Sequence, residues 1–346
     1  MPSQLTNPVT PRDVLHTLLD SNLQLPPEYR NQLTNHLPMA LHALQSLGAS
    51  PERLRNFYAT YAQRFHGSTQ PVPTIAQNTR LVDWRALRGQ ADAFPELLAC
   101  FNGWVMRDGM DATLRQALPE LLSGVAAAAF HGIIRTAHAV QALHTGELAA
   151  ALAYWAWRWQ PLPAPPMTRP LLAFEIWAAR LVQQASGWRS DTGLISTRMA
   201  EASCTEIYSG LAGALAPALS LDARIAELAG LAVERYVANP NFTVLHMITG
   251  LRAFRLLLPW LELSESGNGL QSVLTHNFTA AYLAAGVLPL DKPPEVHAIS
   301  WVEVVSVAIA TDDEHVIKLV QACQDEAAVY GEGPYLRAAA LVVAAG

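Results

Sequence analysis

Apolar residues recur at helical spacing along nearly the whole chain, and this pattern predicts an all-α protein. Alternation of apolar and polar positions, which is typical of strands, never extends beyond a few residues. Thr10 and Ser50 each precede a proline, and a capping residue before a proline predicts the start of a helix. No period of about 20 to 50 residues repeats, so we expect one compact multi-helix domain over residues 1–346 with a buried central site, rather than a solenoid.

The same pattern sets approximate helix bounds. The segment from Gly67 to Arg80 is rich in proline and polar residues, which favours an exposed connection. Thr145 is expected to cap one helix, and Thr311 with Glu314 forms the sequence pattern of a capping box for another. The predicted helices are 11–20, 27–47 with a break or kink near Pro38, 51–65, 94–107, 111–143, a short one after Thr145, 171–185, 199–215, 222–237, 242–258, 270–285, 299–310, 312–330 and 333–345.

Composition indicates helices that are buried on several sides. Hydrophobic residues make up 51% of the chain and charged residues 15%, against a usual charged share of about a quarter. The formal net charge of −6 and the lack of Lys/Arg runs argue against a nucleic-acid partner or a membrane-surface patch. No run of about 18 uncharged apolar residues is present, so we expect no membrane span.

The remaining composition signals favour a cytoplasmic protein. The three cysteines, Cys100, Cys204 and Cys323, are widely spaced and odd in number, which argues against a disulfide framework and a CxxC metal site. The first residues lack the basic and then apolar layout of a signal peptide. The best approach to a flavin-binding glycine motif, Gly267-Asn268-Gly269, has Ser272 at the third glycine position and no strand before it.

The most informative stretch is Gly124–Leu143, in which alanine and aliphatic residues surround two histidines and an arginine. On a continuous helix His131 and His138 stand two turns apart on one inward stripe, with Arg135 at its edge. Apolar packing alone does not need such groups. If such histidines occurred on this helix alone, however, hydrogen-bonded core histidines would be the better interpretation.

Similar histidines recur on other apolar helices, at His36, His246 and His315. Imidazole is the commonest metal ligand in proteins, and helix bundles build metal sites from inward side chains of several helices. The spacing contains no HExxH motif and no facial-triad signature, so spacing alone leaves satisfied core histidines as the favoured interpretation over a shared metal.

Lys318 follows His315 by three residues on the same face, and an apolar interior requires a buried lysine to be paired or neutralised. A neutral amine near a helix N-terminus could take up carbon dioxide, and the carbamate would supply an oxygen ligand beside the imidazoles. The alternative is an ion pair with Glu314 or Asp325, which the sequence spacing favours.

Four segments resemble the questin oxidase-like family, and the resemblance runs from about residue 30 to about residue 330. The strings HGxIRTxHA and DEHxIKL are its more specific parts. One departure is that Met39 and Ala40 stand where the family usually carries further histidines after the Asn-His pair. The four segments are NHLPMALHALQSLGAS at 35–50, AFHGIIRTAHAV at 129–140, NFTVLHMITGLRAFRLL at 241–257 and DDEHVIKLVQA at 312–322.

The resemblance implies a mainly helical oxygenase that acts with dioxygen on anthraquinones and related aromatic polyketides. The reactions are Baeyer–Villiger-type insertion or oxidative ring opening, with a reduced nicotinamide such as NADPH as the electron source. At least part of the family is understood to use non-haem iron held by histidines and a carboxylated lysine. By motif position, the metal ligands here are His36, His131, His246, His315 and Lys318.

Two hypotheses follow. In the first, the chain is an iron-dependent oxygenase that takes a small flat aromatic substrate in a pocket walled by Trp155, Trp157 and Phe242. Arg135 or His138 would then orient the substrate or one of the metal-binding side chains. In the second, it is a catalytically inactive helical binding protein without a metal, in which the histidines lie apart and each makes its own hydrogen bond. The oligomeric state is not predicted by either.

Overall fold

The computed structural model describes residues 10–30, 32–66, 83–165, 170–261, 268–286 and 300–345. Within these ranges the chain forms sixteen α-helices and one two-stranded sheet, which confirms the all-α prediction. None of the described helices is long and apolar enough to cross a membrane. The predicted exposed connection at 67–80 lies outside the described residues.

The described part of the first half of the chain contains seven α-helices and two short 3-10 turns, at 63–65 and 122–124, and a third 3-10 turn lies at 258–260 in the second half. A break in helical backbone geometry at Gly109 divides the longest helix. The seven helices are α1 (Pro11–Asn22), α2 (Leu37–Ser46), α3 (Pro51–Ala62), α4 (Trp84–Leu87), α5 (Phe94–Leu121), α6 (His131–Ala142) and α7 (Thr145–Trp157).

The second half contains nine further helices, several of which begin at polar caps. Asn241 accepts hydrogen bonds from two backbone amides of the first turn of its helix, and Ser300 forms a full capping box with Glu303. The helices are α8 (Phe174–Ala185), α9 (Ile195–Ala202), α10 (Glu206–Ala212), α11 (Leu221–Ala238), α12 (Phe242–Leu257), α13 (Asn268–Ala285), α14 (Trp301–Ala310), α15 (Glu314–Tyr330) and α16 (Glu332–Ala345).

The predicted helix over 27–47 is wrong in its first half. Instead, β1 (Glu28–Tyr29) and β2 (Leu33–Thr34) pair antiparallel as a small hairpin, and α2 begins only at Leu37. Pro38 therefore lies in the first helical turn, where its missing N–H costs nothing, and it does not kink a longer helix. The hairpin lies directly before His36.

The predicted continuous helix through Gly124–Leu143 is also wrong. Residues 125–130 form turns, and Ala128, Ala129 and Phe130 all have positive φ, at 48°, 58° and 66°. Such a left-handed backbone costs about 1–2 kcal/mol per residue for a side chain with a Cβ atom, so packing must hold it. As a result α6 begins only at His131, and Ala127, which a longer helix would have placed on the face of His131 and His138, lies outside it.

Three other boundaries differ from the sequence expectation. The predicted helix over 199–215 is two short helices, α9 and α10. His144, rather than Thr145, caps α7, because its Nδ1 accepts from the Glu147 amide at 3.0 Å. Asp313, rather than Thr311, caps α15 through its Oδ1.

The four helices α2, α6, α12 and α15 enclose the middle of the molecule. Each packs against the next, with α2 on α6, α6 on α12, α12 on α15 and α15 back on α2. Their buried apolar side chains belong to one continuous hydrophobic core. Side chains that project from these four helices into the space between them must therefore meet one another.

Candidate metal centre

The four histidines of the predicted ligand set converge at one end of this helix ring. Ring centroids are 4.6 Å apart for His36 and His131, 4.8 Å for His131 and His246, 5.7 Å for His246 and His315, and 4.7 Å for His36 and His315. The residues come from the start of α2, α6, α12 and α15. The alternative in which the candidate histidines lie apart is therefore wrong.

The Nδ1 atom of each imidazole faces an oxygen. His131 Nδ1 donates to the Ala128 carbonyl, and His246 Nδ1 lies 2.8 Å from the Phe242 carbonyl. His36 Nδ1 lies 3.4 Å from Glu314 Oε1, and His315 Nδ1 lies 3.6 Å from Asp313 Oδ1. A proton on Nδ1 satisfies these oxygens, so each ring keeps its lone pair on Nε2.

Those Nε2 atoms lack hydrogen-bond partners suited to a lone pair. His246 Nε2 and His315 Nε2 are buried without a partner among the described residues. His36 Nε2 and His131 Nε2 lie 2.7 Å apart, and with both protons on Nδ1 two lone pairs face each other. A cation among the four nitrogens removes both problems, so the donor set fits a metal that binds imidazole nitrogen.

The environment keeps the imidazoles neutral, which is the form that binds a metal. Burial, together with the charge of Lys318, lowers the pKa of His131 to about 3. Burial also holds the pKa values of His36 and His246 well below the ordinary value, with Lys318 and neighbouring histidines adding to the effect. For His315 burial lowers the pKa, again with a contribution from Lys318.

Lys318 itself is buried, with 2% of its surface exposed. It lies close enough to the four imidazoles for its charge to lower their pKa values. The two predicted pairing partners are engaged elsewhere, because Asp325 pairs with Arg252 at 2.5 Å and Glu314 pairs with Arg64 at 2.7 Å. Burial lowers the pKa of Lys318 to about 8, opposed by the charge of Glu314 and Asp313. The surface ion pair that sequence spacing favoured is not formed.

Glu314 is the site residue that sequence reasoning missed. Its carboxylate receives Arg64 on both oxygens, at 2.7 and 3.1 Å, and its Oε1 also faces His36 Nδ1. A carboxylate behind an imidazole fixes the tautomer and raises the basicity of the nitrogen that binds a metal. The residue precedes His315 directly, but its place at the start of α15 made it read as part of a helix cap.

The left-handed turn at 128–130 positions His131. It directs the Ala128 carbonyl onto His131 Nδ1, and it carries Phe130 against α12, where a Cβ atom on Gly250 would lie 3.0 Å from the Phe130 ring. Backbone strain of this kind persists where the surrounding structure over-determines it, often at functional sites. Two of the three strained residues, Ala128 and Ala129, also line a cavity.

That cavity opens beside the histidines and has a volume of about 720 Å³. His36, His131, His246 and His315 all line it, together with Glu314. Of the predicted aromatic walls, Trp157 and Phe242 line the cavity as well, and the Phe242 ring lies 4.7 Å from His246 and 4.6 Å from His315. Trp155 does not line it, because it is fully buried between α6 and α7 with its Nε1 donating to the Gly124 carbonyl.

Arg135 and His138 are not among the residues that line this cavity in the described part of the chain. Arg135 forms a buried ion pair with Glu147 at 2.5 and 3.0 Å, which ties α6 to α7. His138 Nδ1 lies 2.9 Å from His42 Nδ1, farther along the helix ring. The geometry therefore gives both residues partners within the protein, away from the described lining of this cavity.

A comparison with protein families agrees with these features. The family model described as Questin oxidase-like matches residues 33–323 of the 346-residue chain, a range that contains all four histidines and Lys318. No curated protein sequence matches the chain. Because the family match covers most of the sequence, the protein belongs to the questin oxidase-like family of oxidoreductases.

Proposed function

We propose that the protein is a non-haem iron-dependent oxygenase that acts on an aromatic polyketide or another quinone-like substrate. The observation that carries the proposal is the contact of His36 Nε2 with His131 Nε2 at 2.7 Å, beside the buried Nε2 atoms of His246 and His315, which have no partner among the described residues. Family membership supports the oxidoreductase class. The reaction we propose is oxygen insertion beside a ring carbonyl, of the Baeyer–Villiger type, or oxidative ring opening.

The residues that would hold the iron are His36, His131, His246, His315 and Lys318. Four neutral imidazoles suit iron, and a carbamate on Lys318 would add an anionic oxygen donor. Bound iron supplies the site with a centre that can activate dioxygen, and we propose NADPH as the electron source. Glu314 faces Nδ1 of His36, and Asp313 faces Nδ1 of His315. These two contacts hold the Nε2 lone pairs of both rings toward the centre before any substrate arrives.

The cavity suits a flat molecule with polar edges. Trp157 and Phe242 offer aromatic faces, and Phe242 stands directly over two of the histidines. Thr34 and Ser196 also line the cavity, and their hydroxyl groups suit contact with hydroxyl or carbonyl groups at a substrate edge. A ring stacked on Phe242 would therefore lie next to the metal-binding nitrogens.

A buried ion pair fixes the hairpin side of the cavity. Glu28 accepts hydrogen bonds from Arg158 and from the Tyr154 hydroxyl, and Arg158 stacks on Trp157 at 3.9 Å. These contacts bind β1 to the end of α7 and leave no net charge on the pair. A neutral substrate is consequently favoured over a strongly anionic one on this wall.

The test combines metal content with oxygen consumption. Protein purified from iron-supplemented cells is expected to contain stoichiometric iron and to consume dioxygen when NADPH and a hydroxylated anthraquinone are added together. The His246→Ala variant should lose both properties, while His276→Ala, which changes a histidine outside the centre, should keep both. Folded, metal-free wild-type protein would contradict the cofactor assignment and favour the inactive binding protein.

A further inference from the structure

A second cavity of about 230 Å³ is lined by residues of α10, α11 and α13 and of the loop that follows α10. It shares no lining residue with the large cavity beside the histidines. Its walls are aliphatic at Leu171 and Leu215 and polar at Arg224, Ser272 and His276. Since a water molecule occupies about 30 Å³ in the liquid, the space has room for a small organic molecule.

The unusual member of this wall is Arg224, whose side chain is only 2% exposed. Its Nη2 donates to the Ala216 carbonyl, and its Nη1 lies 2.9 Å from Glu227 Oε2 without the alignment of a hydrogen bond. Its Nε has no hydrogen-bond partner among the described residues. A guanidinium cannot shed its charge, so a buried N–H without an acceptor is costly unless a ligand supplies one.

Two further groups face the same space. Ser272 Oγ lies 3.1 Å from His276 Nε2, one helical turn along α13. Burial lowers the pKa of His276, which leaves a neutral ring that can accept the serine proton or donate its own. The hydroxyl and the imidazole therefore add adaptable hydrogen-bond donors to the same cavity as the arginine.

The cavity wall is held in place independently of any ligand. The Gln271 side chain binds both the amide and the carbonyl of Ala218, at 2.8 and 3.3 Å. Leu172 exchanges backbone hydrogen bonds with Ala214 and Ala216 on the neighbouring loop, at 2.7 and 2.9 Å. The space is thus enclosed by a fixed loop and three helices, which favours a preformed binding site.

We propose that this second cavity binds a small carboxylic acid with an aliphatic body. The carboxylate accepts from Arg224 Nε and from Ser272 or His276, and the chain lies against Leu171 and Leu215. A carboxylate fits better than a neutral group because the buried Arg224 guanidinium is a cation, and its one neighbouring carboxylate, that of Glu227, is poorly aligned with it. No aromatic side chain lines the described wall, which favours an aliphatic body over a flat ring. The site is independent of the proposed iron chemistry.

The experiment uses octanoate as the probe and 1-octanol as its uncharged counterpart, with isothermal titration calorimetry on the full-length protein. Octanoate is expected to bind saturably, and octanol about tenfold more weakly or not at all, because the charge-assisted hydrogen bond is lost. Equal affinity for both probes would overturn the carboxylate assignment. Absence of saturable octanoate binding would overturn the site.

Three variants locate the binding. Arg224→Gln should weaken octanoate binding about tenfold or more, since the charge-assisted hydrogen bond from the guanidinium is lost. Arg235→Gln makes the same change to another buried arginine of α11 that does not line the cavity, and should bind normally. Ser272→Leu fills the cavity and leaves Arg224 in place, so it tests whether octanoate binds in this cavity even if Arg224→Gln does not fold. Unchanged affinity in Ser272→Leu would show that octanoate binds elsewhere.

Discussion

His36 Nε2 and His131 Nε2 lie 2.7 Å apart, although the two residues belong to different helices and are 95 positions apart in the chain. His36 faces Glu314 through Nδ1, and His131 faces the Ala128 carbonyl in the same way. Two ring nitrogens at this distance need a proton or a cation between them. Since both Nδ1 protons are already engaged with oxygens, the contact is the most direct sign that this donor set suits a positive ion.

Metal removal should lower the stability of the wild-type protein and leave the stability of the His246→Ala variant unchanged. A metal that binds only the folded state stabilises it by about 4 kcal/mol when its free concentration is a thousandfold above its dissociation constant. Thermal unfolding with and without a chelator measures the difference. His276→Ala serves as the matched control and should respond to the chelator like the wild type. An unchanged wild-type melting curve would count against a resident metal.

Lys318→Met removes the amine and keeps most of the buried volume. If a carbamate on Lys318 binds the metal, this variant should lose metal or activity, and added bicarbonate should not restore it. Lys318→Glu should restore part of the function, since its carboxylate supplies an oxygen on a shorter arm. Metal content and dioxygen consumption measure both effects. Full metal binding and activity in Lys318→Met would rule out the carbamate as a ligand.

Glu314→Gln should weaken metal binding without removing a predicted ligand. The change keeps the size of the side chain but removes the charge that Arg64 and His36 Nδ1 share. Loss of such a carboxylate behind a metal-binding histidine typically costs 10–100-fold in metal affinity or activity, and about that loss is expected. Competition with a chromophoric chelator measures the affinity. The control Glu303→Gln alters an exposed cap on α14 and should leave metal binding unchanged.

The contact of α6 with α7 should be intolerant of a methyl group at Gly132. A Cβ atom there would lie 2.5 Å from Cγ of the buried Trp155. Gly132→Ala is therefore expected to destabilise the protein by about 1–3 kcal/mol, the usual cost of overpacking. Gly230→Ala, on α11 with nothing within 4 Å of the added atom, should be neutral or stabilising by about 0.5–1 kcal/mol. Urea unfolding of both variants gives the comparison, and equal stabilities would contradict the close approach.

Acid should destabilise the metal-free protein through the buried pair of His42 and His138. Burial, with a contribution from Arg252, lowers the pKa of His42 from 6.5 to about 3. Between these values the unfolded state binds more protons than the folded state, so the free energy of unfolding falls as the pH falls. One such group contributes about 1.4 kcal/mol per pH unit.

His42→Gln should reduce that pH dependence. Urea unfolding of the metal-free protein from about pH 6.5 down to about pH 4 measures the slope, and the variant should lose up to about 1.4 kcal/mol per pH unit from it. His66→Gln, at an exposed position, is the control and should keep the wild-type slope. The same slope in His42→Gln as in the wild type would contradict the lowered pKa.

Much of the fold was predictable because apolar periodicity is strong and helix caps are local. Thr10 and Ser50 start their helices as predicted, and α12 ends within one residue of its expected bound. The ligand set at His36, His131, His246 and His315 followed from the resemblance to the family. Spacing alone favoured core histidines, because convergence of four separate helices is a tertiary property that no single segment encodes.

The remaining features depend on contacts between distant segments. The alanine-rich run at 126–129 has high helix propensity, but packing of Phe130 against Gly250 holds a left-handed turn there. The strands of the hairpin before His36 are two residues each, which is too short for an alternating pattern. Glu314 is recognisable as part of the site only when Arg64 and His36 are seen beside it.

Anomalous diffraction at the iron absorption edge, from crystals of protein purified with iron, tests the central claim most directly. The account predicts one strong anomalous peak among the Nε2 atoms of His36, His131, His246 and His315, with electron density that extends past the Lys318 amine toward it. The four rings in the same arrangement without an anomalous peak, around a bare Lys318 amine, would contradict the iron site.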